Sequence, residues 1–238
     1  MTTVLLLRHG LTAMTGPVLA GRTSGVHLDE RGTAQAAKAA QRLAGVKLAA
    51  IVSSPLERCQ ETAAPLAEVT GLTVETEPRL IECGYGDWTG QELKKLAKDP
   101  LWKVVQAHPS AVTFPGADGE SLRAAQARAV DAVRSWNAKL GPDAVWLACS
   151  HADVIKSIVA DALGMHLDEF QRIVVDPCSI TVINYTALRP FVVRVNDTAI
   201  DLATLLAPPK KRGRHRSDAA VGGGAGSDIT GAAGPAIP

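Results

Sequence analysis

No apolar run in this sequence reaches the roughly 18–20 residues that a helix needs to cross a bilayer, so a membrane-spanning helix is excluded. The opening stretch Val4-Leu5-Leu6-Leu7 stops at Arg8-His9 and lacks a basic flank, which excludes a signal-peptide reading and makes a cytoplasmic location the default expectation. Cysteine is sparse. Cys59, Cys83, Cys149 and Cys178 are scattered without a C-x-x-C pair, so neither a zinc site nor a disulfide framework is expected, and free thiols in a reducing compartment fit better. Excess charge is missing too. With 25 basic and 24 acidic residues the net is +1, which argues against a nucleic-acid-binding domain built on global basicity. Internal repeats are absent.

What remains is a chain of 238 residues, 46% apolar and 21% charged, suited to one soluble domain with a sizeable core. The small net charge hides an asymmetry. From Pro208 onward five Lys/Arg stand against two Asp. That stretch opens Pro208-Pro209, continues through Lys210-Lys211-Arg212-Gly213-Arg214-His215-Arg216 and becomes rich in Gly, Ala and Ser. Such a composition buries too little apolar surface to offset chain entropy. The expected organisation is a folded domain over residues 1–207 and a disordered tail over 208–238. The basic run is the sole hint of nucleic acid or anionic lipid, and a solvated terminus is the favoured reading of it.

Three continuous apolar runs of strand length read as buried parallel strands: Thr3 to Arg8, Leu48 to Ser53 and Ala144 to Cys149. Leu72 to Glu77 is a shorter fourth candidate. Ser179 to Thr186 and Phe191 to Asn196 suggest a hairpin at the sheet edge. Helices are expected from an Asp29 cap to Gly45, from Pro55 to Thr70 with Pro65 kinking or shortening it, from about Glu120 to Leu140, and from Ala152 to a stop at Gly164. Strands alternating with helices imply an α/β fold, a three-layer sandwich with a mostly parallel central sheet.

The chemistry gathers where strands end. The first run closes in Arg8-His9-Gly10, the second in Ser53-Ser54-Pro55-Leu56-Glu57-Arg58, and the Ala144–Cys149 run in Ser150-His151-Ala152. Ligands of open α/β sheets bind beyond the carboxyl ends of the strands, so two His and two Arg converge on one edge. Guanidinium forks match phosphoryl oxygens. A neutral imidazole is a competent nucleophile toward phosphorus, and a second one, protonated, adds positive charge to the transition state. Glu82, in the Gly-rich stretch Leu80-Ile81-Glu82-Cys83-Gly84-Tyr85-Gly86, is the candidate acid for the leaving alcohol. Each residue has a plainer reading: His9 and His151 as core histidines, Arg58 as a surface helix residue, Glu82 as a structural partner of Arg79.

Arg8-His9-Gly10, the Ser53-x-x-x-x-Arg58 turn, the Glu82 loop, Gly119-Glu120-Ser121 and Ser150-His151, in this order, resemble the histidine phosphatase superfamily and its phosphoglycerate-mutase-like fold over residues 1–200. The resemblance implies a phosphohistidine on His9, phosphoryl binding by Arg8, Arg58 and His151, and proton donation by Glu82. It implies no metal and no cofactor, and leaves a homodimer open. Two departures stand out. Thr15 occupies the place of an Asn expected to help hold phosphate, and Ala152 replaces the Gly after the second His. A Thr hydroxyl and an Ala backbone N–H can still donate, so altered affinity is expected, with catalysis retained.

Cofactor-dependent mutases of the family carry a long basic insertion that shuts water out of the site. Only 36 residues separate Glu82 from Gly119 here, so a metal-independent phosphatase acting on a small phosphorylated substrate is expected ahead of a mutase. A non-catalytic phospholigand-binding protein is the third reading, disfavoured because every expected catalytic side-chain type is present. The insertion's Lys94, Lys95, Lys98, Lys103, Trp88, Trp102 and His108 either line the substrate's approach or form a solvated amphipathic helix.

Overall fold

The structure is a computed structural model that describes residues 1–200 and 221–225. Six strands form one sheet in the order β3-β2-β4-β1-β5-β6. They are β1 (Thr2–Arg8), β2 (Ala50–Ser53), β3 (Val74–Thr76), β4 (Val145–Ser150), β5 (Ile180–Tyr185) and β6 (Pro190–Asp197). The first four run parallel, while β5 lies antiparallel to β1 and pairs with β6 as the edge hairpin. The chain is thus a mixed α/β sandwich, mostly parallel, as its sequence pattern implies.

Alternation along the strands builds the two outer layers. Val4, Leu6, Val52, Trp146 and Ala148 face one core, shared with α5 (Leu122–Leu140) and α6 (Ala152–Leu163). Leu5, Leu7, Ile51, Leu147 and Cys149 face the other, covered by α1 (Glu30–Leu43) and α2 (Glu57–Thr70). Both faces are buried, which is why these strands read as unbroken apolar runs.

Local signals set the helix ends. Asp29 accepts from Gly32 N at 2.8 Å to cap α1. Ser121 accepts from Ala124 N at 3.1 Å to cap α5, so this helix begins two residues later than the sequence suggests. Gly164, at φ 65°, closes α6 in the left-handed conformation. Pro65 does not shorten α2, which continues through it to the expected end at Thr70. Burial of Cys59, Ala63 and Leu66 on the sheet offsets the single backbone hydrogen bond that proline forfeits. β3 is also shorter than the expected Leu72–Glu77.

Between Glu82 and Gly119 lie the short α3 (Leu93–Leu96) and α4 (Pro100–Ala107). Trp88 is buried and stacks on Trp102 at 6.1 Å between ring centroids. Lys94, Lys95, Lys98 and Lys103 are exposed, and Leu93 is the residue of this insertion's helices that reaches the pocket. The solvated-helix reading holds for those lysines. No helix among the described residues is long and apolar enough to cross a membrane.

The tail expected over 208–238 lies largely outside the described residues. Within that stretch the described residues 221–225 form a tight turn with left-handed glycines that packs against α6, with Val221 buried in the larger core. Glycine makes this possible by letting backbone approach backbone where a side chain would intrude.

Candidate active site

The parallel strands deliver their C-terminal residues to one crevice. Arg8 ends β1 and His9 follows it. Ser54 follows β2, and Arg58 lies in the first turn of α2. His151 joins β4 to α6, and Glu82 comes from the loop beyond β3. Arg8, His9, Thr12, Thr15, Arg58 and Glu82 line one pocket of about 420 Å³, open mouth included.

His9 Nδ1 lies 2.8 Å from the Gly10 carbonyl oxygen. A carbonyl can only accept, so Nδ1 carries the proton and Nε2 keeps its lone pair. Burial, with the charges of Arg58 and Arg8, holds the His9 pKa well below its ordinary value, so the ring is neutral at neutral pH. His151 sits edge-on to His9 with ring centroids 5.2 Å apart. Its Nε2 is 2.8 Å from Ser54 Oγ, and its Nδ1 is 3.3 Å from Arg58 Nη2. The sequence argument invoked a protonated second imidazole. Here burial and Arg58 push the His151 pKa well down, so this ring too is neutral.

Glu82 is buried, with Oε2 4.0 Å from His151 Nδ1 and Oε1 accepting from Cys83 N at 2.9 Å. Burial and the nearby Asp153 carboxylate raise its pKa to about 7, so a large share of the molecules carry the Glu82 proton at neutral pH. It does not pair with Arg79, which binds Glu77 and Asp131. The structural reading of Glu82 therefore falls.

The arginines carry the decisive detail. Arg58 Nη2 donates to Gly21 O at 2.7 Å, yet Arg58 Nε, Arg58 Nη1 and Arg8 Nε are buried without hydrogen-bond partners. Buried guanidinium donors are costly to leave unpaired. Three of them around one pocket mark a site shaped for an oxyanion.

Thr15 lines the pocket, its Oγ1 accepting from Thr12 N at 3.0 Å. Ala152 does not line it. Its methyl packs toward the 221–224 segment. Sequence reasoning missed the support behind Glu82. Arg22 Nε donates to Glu82 O at 2.8 Å and Arg128 Nη2 donates to the same oxygen at 3.0 Å. Glu120 binds both arginines, so Glu120-Ser121 orients the site and caps α5 at once. Also missed were Ser54 as a partner of His151, and Asp153, which accepts from Tyr85 Oη at 2.8 Å and lies 3.5 Å from Lys156 Nζ. The cysteines are free and buried, and burial pushes the Cys83 and Cys149 thiols up, as expected of inert side chains.

The model of the histidine phosphatase superfamily (branch 1) matches residues 4–198. The chain belongs to this family. Within the superfamily it is 32% identical over 209 residues to phosphoserine phosphatase 1 of Hydrogenobacter thermophilus, covering 83% of this chain and 93% of that one. An uncharacterized Mycobacterium tuberculosis protein, Rv0525, is 48% identical over 81 residues, a match that spans 40% of that protein's length. Among solved structures, the mycobacterial glucosyl-3-phosphoglycerate phosphatase Rv2419c superposes with a TM-score of 0.74 at 26% identity, over 82% of this chain and 98% of that one.

Proposed function

We propose that this member of the histidine phosphatase superfamily hydrolyses a small phosphomonoester through a phosphohistidine on His9. The observation that carries the reading is the set of unpartnered buried donors on Arg8 and Arg58 beside a neutral imidazole and a carboxyl whose pKa is raised to about 7. The names of the similar phosphatases, one acting on phosphoserine and one on glucosyl-3-phosphoglycerate, support a small phosphorylated metabolite as substrate.

In the first step the Nε2 lone pair of His9 attacks phosphorus and the bond to the ester oxygen breaks. Glu82 gives its proton to the departing alkoxide, while Arg8 and Arg58 neutralise the equatorial oxygens, joined by His151 once phosphate binding has drawn a proton from solvent onto it. In the second step the Glu82 carboxylate takes a proton from water as its oxygen attacks the phosphohistidine. Phosphate leaves, and His9 Nε2 regains its lone pair. Thr15 would tune phosphate affinity. The short α3–α4 insertion supports hydrolysis over return of the phosphoryl group to a second substrate hydroxyl.

The test is turnover of a phosphoryl-labelled aryl phosphate without added metal, with an alkaline denaturing quench to trap the acid-labile phosphoprotein. The expected result is hydrolysis abolished, and label lost, in His9→Ala. Full activity in that variant would overturn the reading. A phosphoglycerate added as substrate should release free phosphate without isomerising.

A further inference from the structure

Resting on that reading, we propose that Val221–Gly224 is an intramolecular strap that competes with substrate phosphate for Arg8 and holds the site shut until displaced. Val221 is 1% exposed in the core, and Gly222 N donates to Asp153 Oδ2 at 3.0 Å. From this anchorage three consecutive carbonyls turn onto one guanidinium. Gly224 O accepts from Arg8 Nη2 at 2.7 Å, Gly223 O from Nη1 at 3.1 Å and Gly222 O from Nη2 at 3.5 Å. Val175 O takes Nη1 from the other side at 2.8 Å. Both terminal nitrogens of Arg8 are thus bound to neutral carbonyls, and Nε alone stays unpartnered.

The same segment roofs the pocket. Val221, Gly222 and Gly224 line it together with His9, which is only 7% exposed. A phosphoryl oxygen carries negative charge and can engage a guanidinium bidentately, so it accepts more strongly than a neutral carbonyl does. A phosphoryl group would therefore win against any single carbonyl. The strap holds its place because it offers three at once and is tethered to the chain, which raises its effective concentration at the site. Its glycines permit the approach. Gly222, Gly223 and Gly224 all have positive φ (75°, 80° and 56°), and a Cβ on Gly223 would fall 2.2 Å from Ala152 Cβ and 3.2 Å from Arg8 Nη1. A side chain at 223 therefore unseats the strap without altering the catalytic residues.

The apparent affinity of a site is its intrinsic affinity scaled by the fraction of molecules that are open. The experiment measures inorganic phosphate binding by calorimetry and aryl phosphate hydrolysis for the full-length wild type, Gly223→Val and Val221→Ser. Both variants should bind phosphate about tenfold tighter and lower KM about as much, with kcat little changed, as for a strap seated about nine-tenths of the time. Phosphate affinity unchanged or weakened would overturn the strap, as would a fall in kcat that made the segment part of the working site. Where the two variants differ, Gly223→Val decides, because its clash acts on the strap directly. Binding by inorganic phosphate needs no turnover. Variants that bind phosphate more tightly yet, like the wild type, hydrolyse nothing would therefore refute the phosphatase reading and leave the strap standing.

Discussion

Arg58 Nη2 and His151 Nδ1 lie 3.3 Å apart, the guanidinium directed at the ring nitrogen. A guanidinium nitrogen only donates, so Nδ1 is the accepting, unprotonated atom, and the ring proton sits on Nε2, facing Ser54 Oγ. One arginine therefore sets the tautomer of the second histidine while its own Nε and Nη1 stay buried and unpartnered. Incoming phosphate would add negative charge beside His151 and draw a proton toward that ring. The neutral His151 of this structure thus fits a binding step that precedes its charging.

Arg58→Lys tests that coupling. Lysine supplies a point charge without the planar fork, and loss of preorganised donors at a developing oxyanion typically costs on the order of 100-fold in kcat. We expect a fall of that size on aryl phosphate. Arg58→Met should also raise the His151 pKa toward its ordinary value, measured by NMR titration of the ring, because Arg58 contributes to its depression.

The pH profile of kcat/KM should be bell-shaped. His9 must be neutral, and its pKa is held well below 6.5, so the acid limb lies below that value. Glu82 must be protonated, and its pKa is about 7, so activity should fall as pH rises through that region. Glu82→Gln should erase the alkaline limb. It should also cost an alkyl phosphate about 100-fold or more and a nitrophenyl phosphate far less, since a good leaving group needs no proton. An alkaline limb surviving in Glu82→Gln would assign it to another group.

The same carboxyl makes a stability prediction. Its folded pKa of about 7 exceeds the ordinary 4.5, so the stability its protonated form supports is fully present below pH 4.5 and is lost as pH rises through 7. Glu82→Gln should therefore match the wild type at acid pH and exceed it at pH of about 8, by up to about 3 kcal/mol in urea unfolding.

How much of this was legible in the sequence depends on the range of the forces involved. The runs Thr3–Arg8 and Ala144–Cys149 fall within a residue of β1 and β4, because strands buried on both faces need unbroken apolar stretches. Strand ends in turn place His9, Arg58 and His151 at one edge. Pro65 leaves α2 at its full length to Thr70 because helix propensity yields to tertiary packing. Arg128 gives no signal, being one more polar residue on an amphipathic helix until the fold sets it behind Glu82. The glycines at 222–224 read as structureless for a similar reason. Their partner, Arg8, stands some 215 residues away, and composition alone cannot encode that contact.

Arg128 should behave as a positioning residue. It donates to the carbonyls of Arg79, Ile81 and Glu82 at 2.7, 2.7 and 3.0 Å and is itself held by Glu120. Arg128→Met should lower kcat by about tenfold with KM little changed, since it misplaces the acid without touching the phosphoryl donors. Arg22→Met should do less, because Arg22 supplies one of the two donors to Glu82 O and is partly solvated. Equal losses in KM and kcat would assign Arg128 to substrate binding.

The buried pair Asp153–Lys156 should be the costliest to break. Lys156 Nζ lies 3.5 Å from Asp153 Oδ1 and 3.0 Å from Gln171 Oε1, with both charged side chains almost fully enclosed. Removing one partner of such a pair leaves a charge in low dielectric and typically costs about 3–5 kcal/mol, whereas replacing both can be nearly neutral. Lys156→Met should therefore destabilise strongly, and adding Asp153→Asn should restore much of the loss. The recovery should be incomplete, because Asp153 also accepts from Tyr85 and Gly222, and an amide oxygen accepts less strongly than a carboxylate. Strictly additive losses in a double-mutant cycle by urea unfolding would show that the two side chains do not depend on each other.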